Sequence, residues 1–139
     1  MGAATVLMAS DQDLPNVKAI FADCPYSSPK EITLKVAKEM GLPKILAYPL
    51  LVIGGVIYGH FNLNGSSASE SVKNAKYPIL IIHGQEDRFV PIEMSRKLKG
   101  INPNIQLEEF PEAAHGMSYL VDMDRYKKIV KEFENKYLY

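Results

Sequence analysis

Apolar residues in this chain gather in blocks separated by Gly, Pro and polar breaks, and the spacing inside each block predicts its element. Gly2 to Ala9 is apolar on every side, which predicts a short helix buried all round. Asp11 to Asn16 breaks it, and Val17 to Ala22 is an apolar run of strand length ending at Asp23-Cys24-Pro25. Ser28-Pro29-Lys30-Glu31 supplies a capping hydroxyl, a proline at the first helical position and a glutamate three residues after the cap. Ile32, Val36 and Met40 follow near helical spacing until Gly41 and Pro43 stop the helix. The apolar segment Ile45–Phe61 contains Pro49 and Gly54-Gly55, so a bent or broken helix is expected, then a loop over Asn62 to Ser67.

The carboxy-terminal half alternates more regularly. Ser67-Ala68-Ser69-Glu70 starts a short helix reaching about Lys76. Ile79-Leu80-Ile81-Ile82 is a continuous aliphatic run, the signature of a parallel strand covered on both faces. Val90-Pro91 opens a helix to about Leu98, and Ile105 to Phe110 alternates apolar with polar as a half-exposed strand nearer an edge. A last helix, from Ser118 or Asp122 to Tyr137, places Tyr126, Ile129, Val130, Phe133 and Tyr137 on one face. Strands alternating with helices predict an α/β fold, a parallel sheet of about three strands flanked by helices.

Composition narrows the function. Lys+Arg and Asp+Glu both number 16, so no basic field exists to gather nucleic acid or anionic lipid. Cys24 is the single cysteine, which excludes an internal disulfide and a cysteine-rich zinc centre and fits a cytoplasmic protein. No signal peptide is visible, and Val6 stands where a myristoylation motif wants Ser or Thr. Ile45 to Tyr58 lacks charge but is too short to span a bilayer, so it reads as a core helix or a lid. No Gly-rich phosphate loop follows any strand, and no cofactor or metal is expected.

Chemistry in open parallel sheets collects beyond the carboxyl ends of the strands, where Asp23, Asp87 and His115 each follow a strand. A carboxylate bonded to one imidazole nitrogen fixes its tautomer, leaving the other nitrogen to take a proton from a serine hydroxyl. Asp87 or Asp23 could be that carboxylate. Asp87 also suits a plain turn cap, and Cys24, His60 and His83 read as packing or turn residues. Ser118 lies near His115, yet no serine here sits in a Gly-x-Ser-x-Gly context.

Two motifs carry a resemblance. Ile79 to Pro91, with His83-Gly84-Gln85-Glu86-Asp87 at its centre, resembles the α/β-hydrolase strand and turn that hold the triad acid. Glu112-Ala113-Ala114-His115-Gly116 resembles the turn that holds the triad histidine, and Met1-Gly2-Ala3-Ala4 resembles the back half of the nucleophile elbow. The likeness is to the carboxy-terminal half of that domain. It implies one partial α/β-hydrolase domain over 1–139, with a lid or cap at about 42–76. It further implies Asp87 as triad acid, His115 as general base and Met1 as a backbone oxyanion donor.

The implied reaction is hydrolysis of a small-molecule ester or amide, with the nucleophilic serine falling just before Met1, so the chain alone is expected to hydrolyse little. The alternative expectation is a non-catalytic domain that self-associates as a homo-oligomer through an exposed sheet edge.

Overall fold

The computed structural model describes residues 1–60, 62–65 and 67–138. Helix α1 (Gly2–Met8) precedes strand β1 (Ile20–Asp23), then α2 (Pro29–Glu39) and α3 (Lys44–Ile57). Next come α4 (Ala68–Ser71) with a 3-10 turn over Val72–Asn74, β2 (Ile79–Gly84), α5 (Glu93–Ile101) and β3 (Gln106–Phe110). Helices α6 (Ser118–Val121) and α7 (Met123–Tyr137) close the chain.

The three strands form one parallel sheet in the order β1-β2-β3, with Ile20 beside Ile79 and Leu80 beside Gln106. Side chains alternate across β2, so its aliphatic run feeds two cores. Ile79 and Ile81 pack with Leu7, Val72 and Leu98 on one face, while Leu80 and Ile82 pack with Phe110, Ile129 and Phe133 on the other. Every β2 residue is buried, as a central parallel strand demands. β3 lies at an edge and is partly exposed along most of its length, in line with its alternating sequence.

Capping chemistry sets several helix starts. The Ser28 Oγ accepts from the Glu31 N–H (3.1 Å) and the Ser67 Oγ from the Glu70 N–H (3.3 Å). The Asp122 carboxylate does the same for Arg125 at the start of α7. Asp122 and Ser118 both begin helices, with a break between α6 and α7.

Five expectations need correction. The first strand is Ile20–Asp23 and not Val17–Ala22, because Val17 N–H closes a turn on the Leu14 carbonyl. Helix α1 buries Ala4 and Leu7 but leaves Val6 exposed, since the sheet and α4 cover only one of its sides. Of the bent or broken helix expected here, the break does not occur: α3 continues through Pro49 and Gly54-Gly55, and Phe61, where the apolar segment ends, lies outside the described residues. That helix is no core element either: only Ala47 is buried, and Ile45, Leu46 and Leu50 are largely exposed. The short helix after Ser67 tightens to 3-10 geometry at Val72.

No helix among the described residues is long and apolar enough to cross a membrane.

Candidate active site

Asp87 lies in the turn after β2, and that turn is held against the β3–α6 turn by main-chain bonds. The Gln85 N–H donates to the Phe110 carbonyl (2.9 Å) and the Glu86 N–H to the Ala113 carbonyl (3.0 Å). Gly84 makes this approach feasible, because a Cβ there would stand 2.1 Å from the Ala113 carbonyl oxygen. A bare backbone at the end of β2 therefore brings the two loops together, and with them the acid and the imidazole.

The carboxylate of Asp87 is almost fully partnered. Its Oδ1 accepts from the Phe89 N–H (2.9 Å) and the Val90 N–H (2.8 Å), and its Oδ2 accepts from the His115 Nδ1 at 2.6 Å. Burial pushes this carboxyl upward, but the Val90 N–H and His115 outweigh it and hold the group below its ordinary value. Asp87 is thus an ionised acceptor at neutral pH. In its neutral form His115 then carries its proton on Nδ1 and keeps the lone pair on Nε2.

His83 is fully buried, and its role is packing. The Val90 carbonyl accepts from its Nε2 (2.9 Å), so its Nδ1 accepts from the Ser95 hydroxyl (2.6 Å). Its Nε2 also stands 3.3 Å from Asp87 Oδ2. His60, in a left-handed backbone conformation, lies in the segment after α3.

Asp23 points elsewhere: its Oδ2 accepts from the Tyr126 hydroxyl (3.1 Å), and its Oδ1 is buried without a partner. Burial first, and then Asp23, push the Tyr126 hydroxyl up to about 12. His115 hydrogen-bonds Asp87 and not Asp23. Ser118 is buried, with its hydroxyl unpartnered.

A cavity of about 520 Å³ opens beside His115. Its lining is mainly apolar and comes from α1 (Met1, Ala4, Met8), α2 (Ile32) and the Asp87 turn (Phe89). Met1, at the start of α1, and His115 both line this cavity. Phe89 also packs edge-on against the His115 ring, with centroids 5.2 Å apart. Helix α2 is tied to this rim, since Lys35 Nζ donates to the Arg88 and Phe89 carbonyls and Glu31 pairs with Lys97 of α5.

Cys24 is the residue that sequence reasoning set aside. It directly follows β1 with φ +50, uncommon for a residue with a side chain, and its Sγ accepts from the Gly116 N–H at 3.4 Å. Its sulfur, Asp87 and His115 offer ligand atoms all within 4.8 Å of one another. Burial pushes the thiol up to about 12, so it is a neutral thiol at pH 7 and a poor nucleophile. Its place at a strand's carboxyl end, beside Asp23, was the only available signal.

Residues 53–136 match the family model described as the dienelactone hydrolase family. The protein YqkD of Bacillus subtilis (strain 168) is 27% identical over 141 residues, covering 96% of this chain and 45% of that protein. The Pyrococcus furiosus esterase Pf2001 has a TM-score of 0.67 at 22% identity, covering 100% of this chain and 51% of its own. The acylaminoacyl peptidase of Pyrococcus horikoshii also superposes at a TM-score of 0.67, with 25% identity, 96% of this chain and 22% of its own length covered. The chain spans about half the length of YqkD and of the esterase. With a family model matched over more than half its length, and with the fold of α/β-hydrolase esterases, this chain belongs to the dienelactone hydrolase family of α/β hydrolases.

Proposed function

We propose that the chain carries the acid and the base of a serine-hydrolase site acting on small esters or amides. Asp87 orients His115 and stabilises the imidazolium that forms when Nε2 takes a proton. His115 is the general base in attack and the general acid in leaving-group departure. The backbone N–H at Met1 donates to the developing oxyanion, and the attacking hydroxyl belongs to a serine outside these 139 residues. The single observation that carries this reading is the 2.6 Å hydrogen bond between His115 Nδ1 and an Asp87 carboxylate already fixed by two main-chain N–H groups. Support also comes from the cavity beside His115, whose apolar lining suits an uncharged acyl or leaving group.

A fluorophosphonate probe tests the assignment of the nucleophile. It is expected to leave the 139-residue chain unlabelled and to label a version extended upstream with a Gly-x-Ser sequence. Labelling of the short chain would overturn it.

The segment at about 42–76 is proposed as a cap over this rim, supported by the exposed apolar surface of α3 and the attachment of α2 to the Asp87 turn. One observation favours a second reading, self-association: β1 is an edge strand, and its Phe21 is 39% exposed. Light scattering at micromolar concentration decides it, and a monomer with cooperative unfolding rules it out.

A further inference from the structure

We propose that Cys24, Asp87 and His115 form a binding site for a zinc-type divalent cation, with the thiolate, one carboxylate oxygen and one imidazole nitrogen as its three protein ligands. A single cysteine excludes a cysteine-rich centre but not a mixed one. The three residues come from three different strand ends: Cys24 follows β1, Asp87 follows β2 and His115 follows β3. Their ligand atoms already lie within 4.8 Å of one another without any ion. Ligands at about 2.0–2.3 Å from a shared tetrahedral zinc stand between about 3 and 4 Å apart. The site therefore needs the sulfur to close slightly, and the 2.6 Å contact between Asp87 and His115 to open.

Three features make this a built site. Asp87 keeps two main-chain donors on Oδ1, which hold the carboxylate in place while Oδ2 turns to an ion. A thiolate and a carboxylate cancel the two positive charges, so the occupied site is neutral and its burial carries a small electrostatic penalty. The cavity lined by Cys24 and His115 supplies an entry path and a fourth position for water. The sulfur, nitrogen and oxygen set is soft, which favours zinc, cobalt or cadmium over magnesium or calcium.

Binding forms bonds from the metal to sulfur, nitrogen and oxygen. It releases the thiol proton to solvent, shifts the His115 proton from Nδ1 to Nε2 by exchange with water so that Nδ1 can ligate, and replaces the hydrogen bond between His115 and Asp87. In a working hydrolase the ion silences the general base, a consequence that rests on the reading above. The binding itself does not rest on it.

Cobalt(II) titration of the full chain, without substrate, tests the site. The expected result is one equivalent bound with a sulfur-to-cobalt charge-transfer band, removed by zinc. Cys24 is the only cysteine, so that band reports this thiol alone. The Cys24→Ser variant is expected to lose the band and to bind zinc at least about tenfold more weakly. His115→Ala, which changes an exposed side chain, is expected to lose about tenfold or more in affinity and separates a three-ligand site from a lone thiolate.

A cobalt complex without the band, or unchanged zinc affinity in His115→Ala, overturns the proposal. The wild-type spectrum decides even where Cys24→Ser fails to fold. An esterase assay on the serine-extended chain keeps the two proposals apart. A thiolate band with no hydrolysis supports the metal site and removes the hydrolase reading. Hydrolysis unaffected by zinc, with no band, does the reverse.

Discussion

Strand β2 and helix α3 are the two most apolar stretches of the chain, and they end in opposite surroundings. All six residues of β2 are buried, whereas α3 buries Ala47 alone and leaves Ile45 85% exposed. Apolarity sets what a segment gains from burial. Position in the fold sets whether it collects that gain. β2 has a strand on each edge and a layer of helices on each face, so its side chains find partners in every direction. Helix α3 packs mainly against α2. The well-packed element carries Asp87 in the turn after it, and the loosely packed one keeps most of its apolar surface exposed.

The largest effect expected from breaking this contrast lies at the tip that β2 supports. In the serine-extended chain, His115→Ala is expected to reduce kcat/KM by about 10³-fold or more, and retention of activity would remove His115 from the mechanism. Next in size is the core itself. Leu80→Ala is expected to lose about 2–5 kcal/mol in urea unfolding, whereas Leu50→Ala on α3 is expected to lose less than about 1 kcal/mol. Equal losses at the two sites would mean that α3 is covered in solution.

Gly84→Ala tests the loop approach directly. Its added Cβ meets main-chain atoms, so a loss of more than about 1 kcal/mol is expected. Gly54→Ala on α3 meets nothing within 4 Å and is expected to stabilise the protein by up to about 1 kcal/mol. A matching loss at both glycines would contradict the contrast.

The smallest effect is the pH dependence of stability. Asp87 is held below its ordinary carboxylate value of 3.8 in the folded state. Its contribution is therefore fully present above that value, and it is lost as pH falls through the lower folded-state value. Stability measured between about pH 5 and pH 2 is expected to fall less steeply in Asp87→Asn than in the wild type. An unchanged slope would show that Glu31 and Glu109, whose carboxyls are also held low by basic partners, dominate the acid limb.

Much of this was legible locally. The capping hydroxyls of Ser28 and Ser67 and the doubly buried run at Ile79 to Ile82 each depend on residues close in the chain, where hydrogen bonds and side-chain alternation follow from sequence order. Val17 was assigned to a strand because its apolarity resembles that of Ile20, and only the turn closing on Leu14 separates them. Cys24 was passed over because a lone cysteine carries no pattern.

Residue order alone encodes the alternation of strands and helices, the two faces of β2 and the presence of an acid and a histidine at strand ends. Tertiary structure alone decided that Asp87 and not Asp23 meets His115, that Cys24 Sγ reaches the Gly116 N–H 92 positions away, and that an apolar helix stays uncovered. The physical reason is that periodicity encodes how strongly each residue is driven from water. Which strand ends share a rim depends on parallel register and on a glycine that lets two backbones touch.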